Sequence, residues 1–285
     1  MVKELTVEID FIGFHGQTIF HNADEKISRQ LGDGKLLSQL TKKTVIYNFR
    51  ENDLNNGGEG APLVPIFHQL MIKENKIDLP VCILNIGGIA NITAIGSYEL
   101  KDLKSYDIGP GNCLVDEWIR KKTKKKYDDN GQTAKSGKTS EIILNQALDN
   151  FDNRKNKNSL SFDTKDFDLN FVRGLSLEDG AATLTDYSGR IVGAALFSLL
   201  SRANDKLWKI LVCGGGRKNK FLVEKLKKQN NYLKLIDDYG VEGDFVESQA
   251  FAYLAIRSFL KLPISFPSTT GCKEPCTGGK IVKNY

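Results

Sequence analysis

The sequence KILVCGGGRKNKFLVEKL, residues 209–226, decides the fold class. Its first half is an apolar strand that ends in three glycines, Gly214 to Gly216. Its second half spaces apolar residues as an amphipathic helix does. A buried strand followed at once by a glycine turn and a helix is typical of α/β proteins. We therefore predict an α/β fold.

Two further glycine turns follow apolar strands. Residues 81–95, VCILNIGGIANITAI, predict two strands joined as a hairpin at Gly87-Gly88. Residues 106–112, YDIGPGN, break the strand pattern before LVDEWIRKK, residues 114–122, resumes with helical spacing. Glycine lets backbone N–H groups approach phosphate oxygens without a Cβ in the way, so three such turns indicate a nucleotide site. The chain lacks the patterns GxxxxGK[ST] and GxGxxG, which disfavours the two commonest nucleotide folds.

The remaining elements are predicted from hydrophobic periodicity and from glycine and proline content. A helix over 181–200 would be capped by Thr183 or Thr185, and Pro263 would stop a helix over 247–260. The other assignments are strands at 5–12 and 44–47, loops at 13–18 and 49–65, and surface helix with irregular loop at 128–177.

Composition and charge exclude several classes of protein. Forty basic and 35 acidic residues give a net charge of +5, too mild for a nucleic-acid-binding domain. The basic run at 120–126 is followed by Asp128 and Asp129, so we interpret it as a solvated helix end rather than a phosphate-backbone site. No apolar stretch reaches the length of a membrane helix, and the amino end lacks the layout of a secretory signal. We expect a cytoplasmic protein with neither a nucleic-acid nor a membrane partner.

The five cysteines predict neither a disulfide framework nor a metal site. Cys82 and Cys213 lie within apolar runs, where a thiol behaves as a small buried hydrophobe. Cys272 and Cys276 form a close pair, but zinc would need two more ligands and all three histidines lie far away in sequence. We therefore predict no metal ligands in the chain.

Several polar residues are placed where chemistry is possible. Asp107 stands at the mouth of a glycine turn, where a carboxylate serves as a general base or holds a metal-bound water, or simply caps the turn. Glu247 opens a helix, where the macrodipole alone favours a carboxylate. His15, Gln17 and Thr18 offer neutral donors suited to sugar hydroxyls, although a plain polar turn has the same composition.

Together these residues resemble the anhydro-N-acetylmuramic acid kinase family of the sugar kinase, heat-shock protein and actin superfamily. The resemblance covers nearly the whole chain, and LNIGGIANIT and DIGPGN in this order and spacing are highly specific. The motifs that carry it are IGFHGQT, FREND, GGEGAPLVP, LNIGGIANIT, YDIGPGNCLVDEWI, DDNGQTAKSG, LVCGGGRKN, ESQAFAYLA and TGCKEPCTGGKI.

The resemblance implies a two-lobed, ribonuclease-H-like fold of the actin-like ATPase type. Residues 1–78 would be the remainder of the first lobe with its sugar-contacting loops. Residues 79–285 would be the nucleotide-binding second lobe, with the C-terminal segment packing back on the first. Family members open with a strand, a glycine-threonine-serine turn and a second strand that form the first phosphate-binding hairpin. Here Met1 stands just before the HGQT strand, so we expect an incomplete first lobe.

The resemblance also implies a reaction. The chain would open 1,6-anhydro-N-acetylmuramic acid with water and phosphorylate O6 from ATP, giving N-acetylmuramic acid 6-phosphate in peptidoglycan recycling. Asp107 matches the family's general base, and Glu247 its second acidic residue. Magnesium would bridge the phosphates, and a homodimer is implied.

The resemblance assigns binding residues to both ligands. The hairpin LNIGGIANIT would bind phosphate, and LVCGGGRKN would touch the adenosine. The expected nucleotide-binding residues are Asn85, Gly87, Gly88, Asn91, Gly109, Gly111, Asn112, Gly214, Gly215, Gly216 and Asn219. The expected sugar-binding residues are His15, Gln17, Thr18, Arg50, Asp53 and Glu59.

Two alternatives stay open. Without the first phosphate-binding hairpin, the chain would be a catalytically weak or inactive sugar-binding protein, or a partner of a full-length copy. It would then bind nucleotide weakly and expose an unpaired sheet edge. A different sugar kinase of the same superfamily is the other alternative, which HGQT and DIGPGN disfavour.

Overall fold

The computed structural model describes residues 8–154, 162–201 and 207–285. The chain divides into two compact units. Unit 1 comprises the described residues up to Lys76 together with Tyr98–Ser105 and Phe245–Tyr285, and unit 2 comprises Ile77–Ser97 and Tyr106–Asp244. The sequence-based division into residues 1–78 and 79–285, with the C-terminal segment packing back on the first lobe, stays a prediction.

Strands and helices occur in both units. The strands are β1 (Phe11–Phe14), β2 (Gln17–Asn22), β3 (Ile27–Leu31), β4 (Thr44–Tyr47), β5 (Val81–Ile86), β6 (Ile89–Ile95), β7 (Leu103–Pro110), β8 (Lys209–Cys213), β9 (Leu233–Leu235) and β10 (Lys280–Val282). The helices are α1 (Gly34–Thr41), α2 (Glu51–Asn55), α3 (Pro65–Glu74), α4 (Cys113–Lys122), α5 (Gln132–Ser136), α6 (Glu141–Arg154), α7 (Leu177–Ser201), α8 (Lys220–Gln229), α9 (Val246–Phe259) and α10 (Pro267–Thr270).

Unit 1 contains a three-stranded sheet in the order β1-β4-β10, with β1 parallel and β10 antiparallel to β4. The strands β2 and β3 form a separate antiparallel hairpin. Gly13 brings β1 against α9, because a Cβ there would lie 2.6 Å from the carbonyl oxygen of Phe251. The core of the unit buries Ile46, Phe49 and Leu254 among its members. Each fully buried aliphatic or aromatic side chain of this size contributes about 1.5–3 kcal/mol.

Unit 2 is built on the sheet β7-β6-β5-β8-β9. The central strand β5 is antiparallel to β6 and parallel to β8, which in turn is parallel to β9. Its sequence VCILNI is an almost continuous apolar run, as expected for a strand that is buried on both faces. This arrangement, with helices packed on the sheet, confirms the predicted α/β class and is the one expected of a ribonuclease-H-like domain.

Most of the predicted elements are confirmed. The strand at 44–47, the hairpin around Gly87-Gly88 and the strand, turn and helix at 209–226 are all present. The helix that follows DIGPGN begins at Cys113, one residue earlier than predicted. The helix predicted over 247–260 is α9, which spans 246–259. These elements were predictable because each depends on local periodicity, and the hairpin and the strand, turn and helix at 209–226 also have glycines at their turns.

Three local predictions are wrong. The loop expected at 13–18 is mostly strand, since β1 continues through Phe14 and β2 begins at Gln17. The segment 49–65 was expected to be irregular, but it contains α2. The segment 128–177 was expected at the surface, yet it buries Leu144, Phe151 and Val172 in the core of unit 2. The expected strand at 5–12 falls partly outside the described residues.

The long helix α7 begins earlier than predicted. Ser176 accepts the amide of Asp179 at its start, so neither Thr183 nor Thr185 is the cap. Both threonines lie inside the helix and donate their hydroxyls to carbonyl oxygens four residues back. Among the described residues, α7 and every shorter helix fall short of the apolar length that crossing a bilayer requires.

Candidate active site

The structure brings the three predicted glycine turns together in unit 2. The carbonyl oxygen of Gly88 accepts the amides of Gly111 at 2.9 Å and Cys113 at 3.1 Å. The carbonyl oxygen of Gly87 accepts the amide of Asn112 at 2.8 Å. The turn that opens α4 is therefore hydrogen-bonded to the turn of the β5–β6 hairpin.

The third turn, Gly214 to Gly216, closes on the end of β5. Gly214 has a φ of 77°, and a Cβ there would lie 2.3 Å from Oδ1 of Asn85. A Cβ at Gly216 would lie 2.3 Å from Cγ2 of Ile86. A Cβ at Gly215 would meet no heavy atom of the described chain within 4 Å. Two of these glycines are thus required by packing, while Gly215 is exposed and open to a ligand.

The helix α7 supports the turn after β7 from behind. Ser188 donates its hydroxyl to the carbonyl oxygen of Gly111 at 2.9 Å in a buried hydrogen bond. Gly109 has a φ of 148°, and a Cβ there would lie 2.7 Å from Cγ2 of Ile191. A Cβ at Gly111 would lie 2.4 Å from the carbonyl oxygen of Gly87. A side chain at Gly109 or at Gly111 would therefore displace the turn.

The asparagines that the sequence assigned to the nucleotide have different positions. Asn85 and Asn91 are paired across the β5–β6 hairpin, next to its turn. Asn112 immediately precedes α4, and its Nδ2 would lie 3.1 Å from a Cβ at Gly216. Asn219 is buried and caps α8, since its Oδ1 accepts the amide of Leu222 at 3.1 Å. The Asn219 oxygen therefore already has a structural partner.

The two predicted catalytic carboxylates belong to different units. Asp107 lies on β7 in unit 2, two residues before Gly109, and is half-buried. Its Oδ2 accepts the amide of Phe162 at 2.9 Å, which fixes the orientation of the carboxylate. Glu247 lies in the first turn of α9 in unit 1 and is exposed.

A cavity of about 330 Å³ opens beside Gly215 in unit 2. Asp116 lines it, and burial raises the pKa of this carboxyl to about 6, with a smaller contribution from Asp128. Residue spacing alone places Asp116 on the same face of α4 as Asn112, four positions earlier, but the sequence analysis did not single it out. The lining residues are Asn112, Val115, Asp116, Tyr127, Asp128, Asp129, Asn130, Gly215, Lys218 and Asn219.

In unit 1, Arg50 connects two of the predicted sugar-contacting loops. Its Nε donates to Nε2 of His15 at 3.0 Å, and its Nη1 donates to the carbonyl oxygen of Gly60 at 2.7 Å. The His15 ring stacks on Phe251 with centroids 4.1 Å apart. Burial, with a smaller contribution from Arg50, lowers the pKa of His15 to about 4. The imidazole is thus neutral at pH 7, and its Nδ1 donates to the carbonyl oxygen of Gly16.

The loop that carries Glu59 is tied to the C-terminal part of the same unit. Asp53 is 1% exposed, and its Oδ2 accepts the amide of Gly60 at 2.7 Å. Its Oδ1 accepts the hydroxyl of Thr270 at 2.6 Å, and the Glu59 amide donates to the Thr270 carbonyl oxygen at 2.8 Å. These contacts give Asp53 a supporting position beneath the loop.

The structure therefore groups four of the six predicted sugar-binding residues around the turn at Gly60, namely His15, Arg50, Asp53 and Glu59. Gln17 and Thr18 are exposed at the start of β2, and Thr18 accepts a hydrogen bond from Gln30 at 3.1 Å. Sequence reasoning missed the supporting role of Thr270, because only the tertiary fold brings it to Asp53.

Comparison with known proteins identifies the family. The profile of the family described as anhydro-N-acetylmuramic acid kinase matches residues 2–284. The chain belongs to the anhydro-N-acetylmuramic acid kinase family. This confirms the family resemblance predicted from the motifs and makes the chain a sugar kinase, a phosphotransferase.

Two relatives in this family show how close the similarity is. The anhydro-N-acetylmuramic acid kinase of Pelagibacter ubique (strain HTCC1062) is 61% identical over 288 residues, which cover 100% of this chain and 77% of the relative. The enzyme of the same name from Zymomonas mobilis is 42% identical over 96% of this chain and 73% of the relative. A solved structure of the activator of the 2-hydroxyisocaproyl-CoA dehydratase from Clostridium difficile with bound ADPNP is similar at a TM-score of 0.36 and 12% identity, over 65% of each chain.

Proposed function

We propose that this chain transfers the γ-phosphoryl group of ATP to O6 of 1,6-anhydro-N-acetylmuramic acid while water opens the anhydro ring. The product is N-acetylmuramic acid 6-phosphate, formed in peptidoglycan recycling. Family membership and the convergence of the three glycine turns next to Asp107 support this assignment. A cytoplasmic location and a homodimer are part of the proposal, and only the family resemblance supports them.

The glycine turns fit a nucleotide. Phosphate oxygens need close approach to the backbone, and a Cβ at Gly88 or Gly215 would meet no heavy atom of the described chain closer than 3.5 Å, so both turns have room for a ligand. Gly215 is exposed and borders the cavity that Asp116 lines, which has room for the nucleoside end of ATP. The phosphates would lie on the turns at 87–88 and 109–112, and the nucleoside beside Gly215.

Magnesium fits the donor set of unit 2. This ion binds oxygen ligands, and in kinase sites it is held by substrate phosphates with one or two carboxylates. Asp107 supplies a carboxylate two residues before Gly109, beside the turn on which the phosphates would lie, whereas Asp116 lines the cavity assigned to the nucleoside. When bound, the ion neutralises phosphate charge, and positioning with charge neutralisation accounts for most of the rate of phosphoryl transfer.

Asp107 would act as the general base. Its Oδ2 is oriented by the Phe162 amide, and the carboxylate accepts a proton from the attacking water. The water oxygen bonds to C1 as the bond from C1 to O6 breaks. The electron pair left on O6 attacks the γ-phosphorus, and the bond to the β–γ bridging oxygen breaks to release ADP. The proton stays on Asp107 until product leaves.

The sugar would be bound by the loops of unit 1. Neutral His15 and charged Arg50 supply donors and acceptors for hydroxyl and carboxylate groups, and Glu59, Gln17 and Thr18 add further polar atoms. Asp53 would act mainly through the loop it supports, because its carboxylate already has two protein partners. Glu247 would be the second acidic residue of the reaction.

The test is a phosphoryl-transfer assay on the purified 285-residue chain, with the product identified by mass spectrometry. We expect a phosphorylated sugar heavier than the substrate by one phosphoryl group and one water. In Asp107→Asn, turnover should fall by about 10²–10⁴-fold while the KM for the sugar changes little. The matched control is Asp149→Asn, an exposed aspartate on α6.

Three results would contradict the proposal. A phosphorylated product that keeps its anhydro ring would exclude the hydrolytic step. Full turnover in Asp107→Asn would exclude Asp107 as the general base. Sugar binding measured by calorimetry with no phosphoryl transfer would favour a binding protein instead.

A further inference from the structure

We propose that Asp53, Cys272 and Cys276 form a zinc site in unit 1. One carboxylate oxygen and the two Sγ atoms all lie within 4.8 Å of one another, and all three residues are buried. Sequence spacing predicted no metal at the cysteine pair, because zinc needs two more ligands and the three histidines lie far away in sequence. The fold supplies a third ligand from α2, at the other end of the chain.

The three ligands are held in place by separate parts of the backbone. Cys272 and Cys276 flank the turn after α10, and the backbone of Cys276 pairs with Ser265 in a β-bridge. The Cys276 carbonyl oxygen also accepts the amide of Ile264 at 2.7 Å. Asp53 comes from α2, so an ion bound here would join α2 to the C-terminal turn of the same unit.

The Asp53 carboxylate has the outer hydrogen bonds that metal ligands usually have. The Thr270 hydroxyl donates to Oδ1 at 2.6 Å, and the Gly60 amide donates to Oδ2 at 2.7 Å. Such partners orient a ligating carboxylate, and they raise the affinity for the metal because the side chain loses less conformational freedom when the ion binds. Each carboxylate oxygen accepts more than one bond, so both partners are compatible with metal ligation.

The chemistry of the ligands selects the ion. Thiolates favour zinc and other soft or borderline ions, whereas magnesium and calcium require oxygen ligands. Each thiol loses its proton on binding, so two thiolates, one carboxylate and Zn²⁺ leave a net charge of −1. A tetrahedral ion with three protein ligands takes its fourth ligand from water. The site is distinct from the phosphate turns of unit 2 and from any magnesium carried by a nucleotide.

The experiment uses cobalt as a spectroscopic probe and zinc as the competing ion. The full chain is reduced, stripped of metal and titrated with Co²⁺ under anaerobic conditions. We expect one equivalent to produce a thiolate-to-cobalt charge-transfer band, which one equivalent of Zn²⁺ abolishes and excess Mg²⁺ leaves unchanged. Zinc should also raise the midpoint of thermal unfolding, since an ion that binds only the folded chain stabilises it.

Variants assign the band to these residues. Cys272→Ser and Cys276→Ser should each abolish it and weaken zinc binding at least about 100-fold, while Asp53→Asn should weaken zinc about 10–100-fold. The control Cys82→Ala removes a buried thiol from the core of unit 2 and should keep the full band. Circular dichroism verifies that each variant is folded.

The proposal fails if the folded parent chain gives no charge-transfer band, or if the band persists in the double cysteine variant. A disulfide between Cys272 and Cys276 in the chain as purified in air, before reduction, seen by mass spectrometry as the loss of two hydrogens with no metal bound, would also overturn it. None of these measurements requires kinase activity, so their outcome is independent of the proposed reaction.

Discussion

Arg50 donates a hydrogen bond from Nε to Nε2 of His15 across 3.0 Å. The imidazole must therefore be neutral at Nε2, which agrees with its pKa of about 4. The same guanidinium reaches the carbonyl oxygen of Gly60, so one side chain sets the distance between the loop after β1 and the loop after α2. Only an arginine offers several donors in a fixed planar arrangement that can make both bonds.

Replacing this guanidinium should impair sugar binding selectively. Arg50→Lys keeps the charge but cannot donate to His15 and Gly60 together, and hydrogen bonds to charged groups contribute about 1.5–3 kcal/mol. We expect the KM for the anhydro sugar to rise about 10–100-fold and the KM for ATP to change little. The control is Arg257→Lys, whose parent side chain donates to the carbonyl oxygen of Pro263 elsewhere in unit 1. Equal changes in both KM values would mean that Arg50 only supports folding.

The glycines at 215 and 216 should respond differently to substitution. Gly215→Val adds a side chain where no described atom lies within 4 Å, so the free energy of unfolding should change by less than about 0.5 kcal/mol. ATP binding should weaken, because the side chain occupies the space in which the nucleotide approaches the backbone.

Gly216→Ala is the matched comparison. Its Cβ would lie 2.3 Å from Cγ2 of Ile86, and overpacking of this kind costs about 1–3 kcal/mol. Calorimetric titration with ATP and urea unfolding separate the two effects. An unstable Gly215→Val with unaltered ATP affinity would show that position 215 is structural.

Asp116 should reduce stability at neutral pH in the ligand-free chain. Its folded pKa is about 6, above the value near 3.9 of an unfolded aspartate, so the folded state binds more protons between these values. The free energy of unfolding therefore falls as pH rises from about 4 to 6. Asp116→Asn removes this loss and should be more stable than the parent by about 1 kcal/mol at pH 8, with solvent screening limiting the gain.

The difference between Asp116→Asn and its parent should disappear near pH 4, where both side chains are neutral. Urea unfolding at the two pH values measures it, and the neighbouring Glu117→Gln serves as a control because Glu117 is paired with Lys121 at the surface. A stabilisation that is equal at both pH values would rule out titration as its cause.

His68 should make the chain sensitive to mild acid. Burial lowers the pKa of His68 to about 4, below the value of 6.5 in the unfolded chain. The unfolded state then binds more protons between these values, so stability is full above pH 6.5 and declines as pH falls toward 4. His15 acts in the same direction.

Each such histidine contributes a slope of up to about 1.4 kcal/mol per pH unit. In His68→Gln the slope of the unfolding free energy against pH should be shallower between pH 6.5 and 4. In the double variant His15→Gln with His68→Gln the slope should be shallower still. Chemical unfolding at half-unit pH intervals provides the measurement. An unchanged slope in the double variant would assign the acid sensitivity to other groups.

The sequence alone determined the features that depend on neighbours along the chain. The strand, glycine turn and helix at 209–226 and the hairpin at 81–95 follow from apolar periodicity interrupted by glycine, and both are present. The family followed from the same motifs. The start of α7 was predicted wrongly. A threonine hydroxyl can cap a helix or donate to a carbonyl inside it, so residue type alone did not show that Thr183 and Thr185 lie inside α7.

Tertiary structure alone decided which distant residues meet. The three glycine turns are far apart in sequence, and only the strand order of the sheet in unit 2 brings them to one place. Asp53 reaches Cys272 and Cys276 because α2 packs beside the C-terminal turn, and no spacing rule connects residues at opposite ends of a chain. Burial of Asp116 and His68 likewise depends on what packs around them, so their shifted pKa values follow from the folded environment rather than from residue type.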